Sequence, residues 1–240
     1  MVNRYFDYYF YRSLENTNDK IKDLSVSVST KSNLALFSLE QIKGRGRQNR
    51  TWVSKKGDLT CSFLIKQKFS LSDLGKINLF IVSSIVGILR KLGIRNIEFK
   101  WPNDIFIKKK KVAGVLIETN VYKGKINKLF IGIGINIVKK NLDKNLKIIS
   151  LSEIDKNIDS ITLFFLLGKK LSDLSMLINK IDYEYISKSL SKVFLNKNSI
   201  ITINLGRNSL SGKFKKIDSA GQLVVTDNNK ILKLNYGEII

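Results

Sequence analysis

The segment KGRGRQNRTW, residues 43–52, is the stretch of this chain best suited to hold an anion. Arg45 and Arg47 offer planar, fork-shaped donors that match carboxylate or phosphate. The two glycines that alternate with them allow a close backbone approach or a positive φ. The segment joins two apolar stretches and ends in Trp52, unlike a disordered RNA-binding tail. We therefore predict an anion-binding loop, whose ligand is nucleic acid, a free nucleotide or an acidic partner.

A second candidate site is KWPNDIFIKKKKVAG, residues 100–114, which contains the only proline of the chain. Proline fixes its own φ and restricts the residue before it, so Asn103 and Asp104 are expected on a rigid turn between strands. A plain hairpin corner with Asp104 as turn former is the alternative. Lys111 is the last of four lysines. Because side chains alternate along a strand, we expect Lys111 to turn toward a pocket and Lys110 to face water.

Glycines inside two predicted strands indicate a close approach to the sheet. Gly114 follows KVA, and IGIGIN, residues 131–136, carries two more glycines. A glycine weakens a strand unless a ligand or another backbone lies against it. Asn136 ends the second stretch and offers a donor and an acceptor, as the N6/N7 edge of adenine requires. The stretch is not a dinucleotide-binding fingerprint, because it lacks a third glycine and does not open a helix.

The residue inventory limits the catalytic chemistry. The 240 residues include no histidine and one cysteine, Cys61, which excludes a Ser-His or Cys-His dyad, an intramolecular disulfide and a multi-cysteine zinc site. Catalysis must use Lys, Arg, Asp, Glu, backbone amides or a metal ion held by oxygen. The formal net charge of +22 suits a polyanionic partner. However, lysines are spread along the whole chain, so we favour compositional drift as the cause.

The N-terminal sequence does not have the features of a signal peptide. MVNRYFDYYFYRSLENT lacks a basic region before an apolar core and lacks a cleavage site. The longest nearly apolar run, LFIVSSIVGIL, is shorter than the roughly 20 residues that span a bilayer. We expect a soluble, cytoplasmic protein without a membrane partner.

Strands and helices of the expected lengths surround these candidate sites. Strands are predicted at YFDYYFYR, on both sides of the arginine loop, and at IEFK, DIFI, KVAGVLIETNVY and KINKLFIGIGINIV. Helices are predicted at ENTNDKIKDL, LSDLGKINLFIVSSIVGILRKLG, SITLFFLLGKKLSDLSMLINKI and YEYISKSLSKVFL. The second helix is expected to have Ser72 or Asp73 as its cap. Residues 1–195 are predicted to form one domain, and residues 196–240, with short strands and glycine bends, a small β-barrel.

Five segments taken together resemble the biotin protein ligases (biotin–[acetyl-CoA carboxylase] ligases). ENTN, EQIKGRGRQNRTW, KWPND, KVAGVLIE and GIGIN follow one another in the order and at the spacing of that family. The resemblance also covers the C-terminal barrel. It implies an α+β fold: a mixed β-sheet backed by helices, similar to the core of class II aminoacyl-tRNA synthetases, with a small SH3-like β-barrel at the C-terminus.

The resemblance implies a two-step activity. Biotin and ATP, with Mg²⁺ carried on the ATP phosphates, give biotinyl-5′-AMP and pyrophosphate. The biotinyl group then passes to a specific lysine of biotin carboxyl carrier protein. Such chemistry fits the residue types present in the chain. Attack of a carboxylate on the α-phosphorus needs two anions to be brought together and their charge neutralised, and it needs no protein nucleophile. The carrier protein is the implied partner, and a homodimer is left open.

The resemblance assigns roles at the matching positions. Catalytic roles fall to Arg47, Lys111 and Asp104. Biotin contacts fall to Asn16, Thr17, Asn18, Gln41, Arg45, Gly46, Arg47, Lys111, Gly114 and Leu116. ATP contacts fall to Trp52, Lys100, Asn103 and Asn136. No metal ligand is assigned firmly, since Mg²⁺ is expected to bind through the ATP phosphates.

Some positions depart from the family pattern. Asn16 stands where the family commonly has serine, which leaves the hydrogen bond from that position open, and Gln48-Asn49 follow GRGR in place of a basic residue and glycine. Some family members carry an N-terminal helix-turn-helix domain and act as repressors. The residues before Asn16 are too few for three packed helices, so we expect no specific DNA binding.

Two rival functions remain in view. A lipoate ligase or octanoyltransferase would share the core, and the transferase type uses a catalytic cysteine with a lysine. Cys61 lies inside LTCSFLI, a predicted strand, where a buried structural thiol is the simpler interpretation. A basic nucleic-acid-binding protein would use the arginine loop and the net charge, but it leaves KWPND and GIGIN unexplained.

The arginine loop is also expected to respond to its ligand. Arg45, Arg47 and Arg50 carry like charges, and the glycines favour disorder. We therefore predict a loop that is mobile without ligand and that closes when biotin or its adenylate supplies the missing anion.

Overall fold

The structure is a computed structural model that describes residues 6–140, 147–154, 158–197, 199–228 and 230–240. Up to residue 195 it contains ten strands and four α-helices. In chain order they are β1 Phe6–Tyr11, α1 Thr17–Ser27, β2 Asn33–Ser38, β3 Gly44–Arg45, β4 Thr51–Trp52, β5 Leu59–Ile65, β6 Phe69–Ser70, α2 Leu74–Lys91, β7 Ile97–Lys100, β8 Asp104–Ile107, β9 Lys110–Tyr122, β10 Lys125–Ile135, α3 Ser160–Leu177 and α4 Tyr183–Lys192.

The main sheet has the strand order β1-β2-β5-β10-β9-β8-β7, with β6 paired to β10. β1 and β2 are parallel, because α1 connects them, and the other neighbouring strands are antiparallel. The predicted mixed sheet is therefore confirmed. Tyr5, the first residue of the predicted N-terminal strand, lies outside the described residues.

Helix α1 covers one face of the main sheet, which we call the front face. Asn16 caps the helix, and its side-chain oxygen accepts from the backbone N–H groups of Asn18 at 2.9 Å and Asp19 at 3.2 Å. Ile21 and Leu24 pack into an apolar cluster on this face. The cap places the first turn of α1, including the side chains of Thr17 and Asn18, against the sheet.

Helices α2 and α3 cover the opposite, back face and form the larger core with the sheet, and α4 packs on α2 and on the C-terminal part. Asp73, one of the two predicted caps, stands at the N-cap of α2, but its side chain makes no capping hydrogen bond there. A short 3₁₀ turn, Leu71–Asp73, precedes the helix, and Ser70 makes the capping box with Asp73. With that turn, the segment Leu71–Lys91 is long and apolar enough to cross a membrane by length and composition alone. Most of its apolar residues are buried in the core, as in the core helix of a globular protein.

The C-terminal part is a five-stranded antiparallel sheet. It contains β11 Ile200–Asn204, β12 Ser209–Ile217, β13 Leu223–Asp227, β14 Lys230–Leu234 and β15 Glu238–Ile239, in the order β14-β13-β12-β11-β15. The expected all-β unit is confirmed in class. No pairing of β14 with β15 closes it into a barrel among the residues described.

The two parts pack against each other. Phe194 stacks on Phe214 at 3.7 Å between ring centroids, and the indole N–H of Trp101 donates to the carbonyl oxygen of Gly221 at 3.0 Å. One apolar cluster runs through both parts. The expected boundary after residue 195 falls between α4 and β11, and it stays a prediction.

Candidate functional site

A cleft opens on the front face of the main sheet, between the start of α1, the arginine loop, and strands β8, β9 and β10. It encloses about 820 Å³ including its open mouth. All the predicted site residues except Lys100 and Asn136 line it. The lining is Asn16, Thr17, Asn18, Gln41, Arg45, Gly46, Arg47, Arg50, Thr51, Trp52, Asn103, Asp104, Lys111, Gly114, Val115, Leu116, Gly132, Ile133, Gly134 and Glu238.

One end of the cleft is uncharged and hydrogen-bonded; we call Asn16, Thr17, Asn18, Gln41 and Ser62 the polar end. All five side chains are buried. Gln41 Oε1 accepts from the backbone N–H of Thr17 at 2.9 Å and from its hydroxyl at 3.0 Å. The Ser62 hydroxyl lies 2.6 Å from Asn18 Oδ1 and 2.9 Å from Thr17 Oγ1. These bonds orient the amides before a ligand arrives.

Charged groups form a network above the polar end. Arg45 donates to both carboxylate oxygens of Asp19, at 3.0 and 2.8 Å, and lies 3.3 Å from Glu118. The hydrogen bond from Arg45 lowers the pKa of Asp19. Burial alone would raise the pKa of Glu118, but hydrogen bonds from Lys22 and Asn18 outweigh burial and leave the pKa below its usual range. The network ties the loop to α1.

The arginine loop is a closed hairpin of β3 and β4. Gly44 and Gly46 were expected to allow a close approach or a positive φ. The positive φ values of this loop occur instead at Gln48 and Asn49. Arg47 donates to Asn103 Oδ1 at 3.2 Å and to the carbonyl oxygen of Gly237 at 3.1 Å. Burial lowers the pKa of Arg47.

The expected repulsion between the arginines of this loop is wrong for Arg45 and Arg50. Arg50 pairs with Glu238 of the C-terminal sheet, and Arg45 pairs with Asp19, so neither arginine is left without a counter-charge. Carboxylates of the chain itself therefore supply the anions that the prediction of a mobile loop took to be missing. Ordering of the loop by ligand stays a prediction.

Trp52 lies flat on the sheet at the other end of the cleft. A Cβ atom on Gly134 would fall 2.4 Å from its indole Cε2 and 2.6 Å from its Nε1, and one on Gly114 would fall 3.1 Å from its Cζ3. The predicted close approach at these strand glycines is thus made by the chain's own indole. The indole Nε1 is buried and has no hydrogen-bond partner among the described residues.

Lys111 and Asp104 meet beside this indole. The Lys111 ammonium is 2.8 Å from Asp104 Oδ1 and 5.3 Å from the Trp52 ring centroid. The contact is an ion pair rather than a well-directed hydrogen bond, since this Oδ1 has no hydrogen-bond partner in the part of the chain that the structure describes. Lys108, Lys109 and Lys110 are exposed, so the expected inward direction of Lys111 is confirmed. We call Arg47, Trp52, Asn103, Asp104 and Lys111 the Trp52 end.

Two predicted residues lie outside the cleft lining. Asn136 is buried; its Nδ2 donates to the carbonyl oxygen of Lys111 at 3.3 Å and its Oδ1 accepts from Lys140. Its amide is therefore already hydrogen-bonded within the protein. The prediction that Asn136 binds the edge of adenine did not include these internal partners. Lys100 is half-buried, with its ammonium 5.9 Å from the Phe106 ring centroid, and burial lowers its pKa.

The sequence analysis missed several residues of the site. Ser62 and Glu118 contact the predicted site residue Asn18, and Glu238 contacts Arg50 of the arginine loop, all from distant parts of the chain. Asp58 and Lys140 form a buried ion pair beside Trp52. Glu118 is the last residue of the KVAGVLIE segment, but no role was predicted for it, and the other four lie outside the five motif segments. For Asp58, the available signal was an acidic residue directly before a largely apolar strand, LTCSFLI.

Two groups bear on the alternatives. Cys61 is fully buried in β5, and burial raises the pKa of its thiol, which disfavours a thiolate nucleophile. Among the described residues, no group of three or more His, Cys, Asp or Glu side chains could hold a metal ion. Asp104 fits Mg²⁺ that is bound mainly by substrate phosphates, because such ions use one or two protein carboxylates.

Fold and site define a ligase core in which a polar pocket adjoins a cationic, aromatic one. Residues 9–136 match the Biotin/lipoate A/B protein ligase family, and the chain belongs to that family. It is 28% identical over 235 residues to the bifunctional ligase/repressor BirA of Escherichia coli (strain K12), covering 94% of this chain and 71% of BirA. It is 27% identical over 105 residues to the biotin–[acetyl-CoA-carboxylase] ligase of Paracoccus denitrificans, covering 42% of this chain and 43% of that protein.

A solved structure has the same fold. The biotin protein ligase from Aquifex aeolicus in complex with biotin and ATP superposes with a TM-score of 0.81 at 24% identity, and the match covers 98% of this chain and 97% of that one.

Proposed function

We propose that this chain activates biotin with ATP to biotinyl-5′-AMP and transfers the biotinyl group to a lysine of a biotin-accepting carrier domain. One observation carries the proposal: a single cleft joins an uncharged, hydrogen-bonded end to an end with a flat indole and cationic side chains. A neutral ureido ring suits the polar end. A purine base and its phosphates suit the Trp52 end, because indole stacks on bases and cations neutralise phosphate.

In the first step a carboxylate oxygen of biotin attacks the α-phosphorus of ATP. The bond from that phosphorus to the bridging oxygen breaks, and pyrophosphate leaves with the electron pair. Arg47 and Lys111 of the Trp52 end both line the cleft and offset the repulsion between the carboxylate and the phosphate. Asp104 holds Lys111 in place at 2.8 Å. Mg²⁺, when bound through the ATP phosphates and Asp104, would add positive charge at the leaving group.

In the second step the neutral amine of the acceptor lysine attacks the biotinyl carbonyl carbon. The bond from the carbonyl carbon to the phosphate oxygen breaks, AMP leaves, and the amine loses its proton as the amide forms. Asp104 is the carboxylate of the Trp52 end and would accept that proton or orient the amine. No histidine is needed, in agreement with a chain that has none.

A carboxylase domain that accepts biotin is the partner that the chemistry requires, and the name of the Paracoccus relative supports it. Biotin carboxyl carrier protein is the specific acceptor that we propose. A homodimer and the lack of specific DNA binding remain predictions. Size-exclusion chromatography and a DNA mobility-shift assay at physiological salt test them, because non-specific binding to a basic protein weakens steeply with salt.

The activity is tested by pyrophosphate release from ATP with biotin, lipoate or octanoate as the acid. We expect release with biotin and not with the other two acids, followed by transfer of biotin to a purified carrier domain. Adenylation of lipoate in preference to biotin would assign the chain to the lipoate branch of the family. A nucleic-acid shift without any ATP turnover would favour the basic binding protein.

A further inference from the structure

We propose that Lys140, held by Asp58, is a positioning residue for the nucleotide: it sets the place of Trp52 and the orientation of the Asn136 amide. The inference rests on the proposed function, in which adenine occupies the Trp52 end. Neither Lys140 nor Asp58 belongs to the motifs that carry the family resemblance, and neither lines the cleft.

The Lys140–Asp58 pair is built into the protein interior. The two side chains are 4% and 1% exposed, and their charged atoms are 2.8 Å apart. A buried charge requires an opposite charge and hydrogen bonds, because desolvation is otherwise unfavourable. Asp58 Oδ1 accepts from the backbone N–H groups of Ile137 at 2.8 Å and Val138 at 2.9 Å. Its Oδ2 also accepts from the N–H of Lys55 at 2.7 Å. The carboxylate therefore joins the turn after Trp52 to the segment that follows β10.

Lys140 reaches both nucleotide candidates from this anchor. Its ammonium donates to the carbonyl oxygen of Val53, the residue after Trp52, at 2.8 Å. It lies 6.0 Å from the centroid of the Trp52 ring, within the range of a cation–π contact. It also donates to Asn136 Oδ1. One side chain thus contacts the backbone directly after Trp52, the Trp52 ring and one atom of the Asn136 amide.

An ammonium group can only donate hydrogen bonds. Its contact with Asn136 therefore determines which way the Asn136 side-chain amide points. Asn136 Oδ1 must face Lys140, and Nδ2 then faces the carbonyl oxygen of Lys111. The second N–H of the amide has no partner among the described residues, and the amide cannot exchange its oxygen and nitrogen while Lys140 is charged. Without that charge, both orientations become accessible, and Trp52 loses a tether. Lys140 therefore acts on the nucleotide rather than on biotin, since its contacts lie at Asp58, Val53, Asn136 and Trp52.

Lys140→Met is the direct test, because it keeps the length of the side chain and removes the charge. The matched control is Lys139→Met, an exposed lysine one residue earlier. Steady-state pyrophosphate release is measured with ATP varied at saturating biotin and with biotin varied at saturating ATP. We expect Lys140→Met to raise KM for ATP about tenfold, the equivalent of one 1.4 kcal/mol step, with KM for biotin changed less than about twofold. Lys139→Met should change neither.

Asp58→Asn is the second variant. It keeps an oxygen for the N–H groups of Ile137 and Val138 but weakens the hold on Lys140, so we expect the same split between the two KM values at about threefold. If Lys140→Met does not fold, Asp58→Asn decides alone. Equal rises in both KM values with a lower Tm would show a merely structural pair and overturn the proposal, as would unchanged KM for ATP. Wild-type protein without biotin-dependent pyrophosphate release would instead refute the proposed function.

Discussion

The polar end and the Trp52 end of the cleft are held in place by different forces. The polar end consists of neutral side chains that are buried and bonded to one another, as in the Thr17–Gln41 and Ser62–Asn18 contacts. The Trp52 end contains the Lys111–Asp104 ion pair and the Arg47 guanidinium, which donates to Asn103 and Gly237, and it retains an unpartnered indole N–H among the described residues. Neutral buried bonds specify one geometry, whereas cationic donors keep spare hydrogen-bonding capacity for anions. The polar end is therefore suited to recognise a neutral group, and the Trp52 end is suited to neutralise a negative charge.

The strongest test of this comparison removes a charge from the Trp52 end. Lys111→Ala should lower the rate of pyrophosphate release by about 10²–10³, or roughly 2–4 kcal/mol, because the carboxylate and the α-phosphate would repel each other without that counter-charge. Binding of biotin alone, measured by calorimetry, should change much less. Lys110→Ala is the matched control, since Lys110 is exposed, and it should be almost silent. Near-normal release from Lys111→Ala would mean that Lys111 is not part of the charge clamp.

A second test displaces the indole without touching a charge. A Cβ atom on Gly134 would overlap the Trp52 ring at 2.4 Å, so Gly134→Ala must move the ring or the strand. We expect affinity for ATP to fall about tenfold, with biotin affinity nearly unchanged. The control is Gly87→Ala in α2, where an added Cβ meets no atom within 4 Å; that change should raise helix stability slightly. Equal loss of both affinities in Gly134→Ala would show that the two ends are not independent.

The sequence predicted the elements better than the contacts between them. The periodicity of apolar residues and the types of capping residue are local features of a sequence. The strand at IEFK and the cap of α1 at Asn16 could therefore be placed from the sequence. Lys111 could be directed inward from strand alternation alone. The pairings of Arg50 with Glu238 and of Asp58 with Lys140 could not be predicted, because the partners are far apart in the chain. These pairings are why the arginine loop is closed and why Asn136 is already engaged.

The polar end can be tested by a substitution that preserves shape. Thr17→Val removes the hydroxyl that donates to Gln41 at 3.0 Å and contacts Ser62 at 2.9 Å. Loss of one buried hydrogen bond is worth about 1 kcal/mol, so KM for biotin should rise about fivefold while KM for ATP stays unchanged. Thr162→Val, at an exposed position of α3, should have no effect on either. A larger effect on ATP than on biotin would reverse the assignment of the two ends.

The smallest expected effect concerns acid stability of the charged network that joins the loop to α1. The folded pKa values of Asp19 and Glu118 are both lowered. The stability that these carboxylates contribute is therefore present above their unfolded pKa values and is lost as pH falls through the folded ones. Glu118→Gln should lower the free energy of unfolding by about 0.5–1 kcal/mol at pH 7, and the difference from wild type should shrink between roughly pH 5 and 3. Glu40→Gln, at an exposed position, is the control. Thermal unfolding followed across that pH range measures both, and a difference that grew on acidification would contradict the assignment of Glu118 as an ionised partner of Lys22 and Arg45.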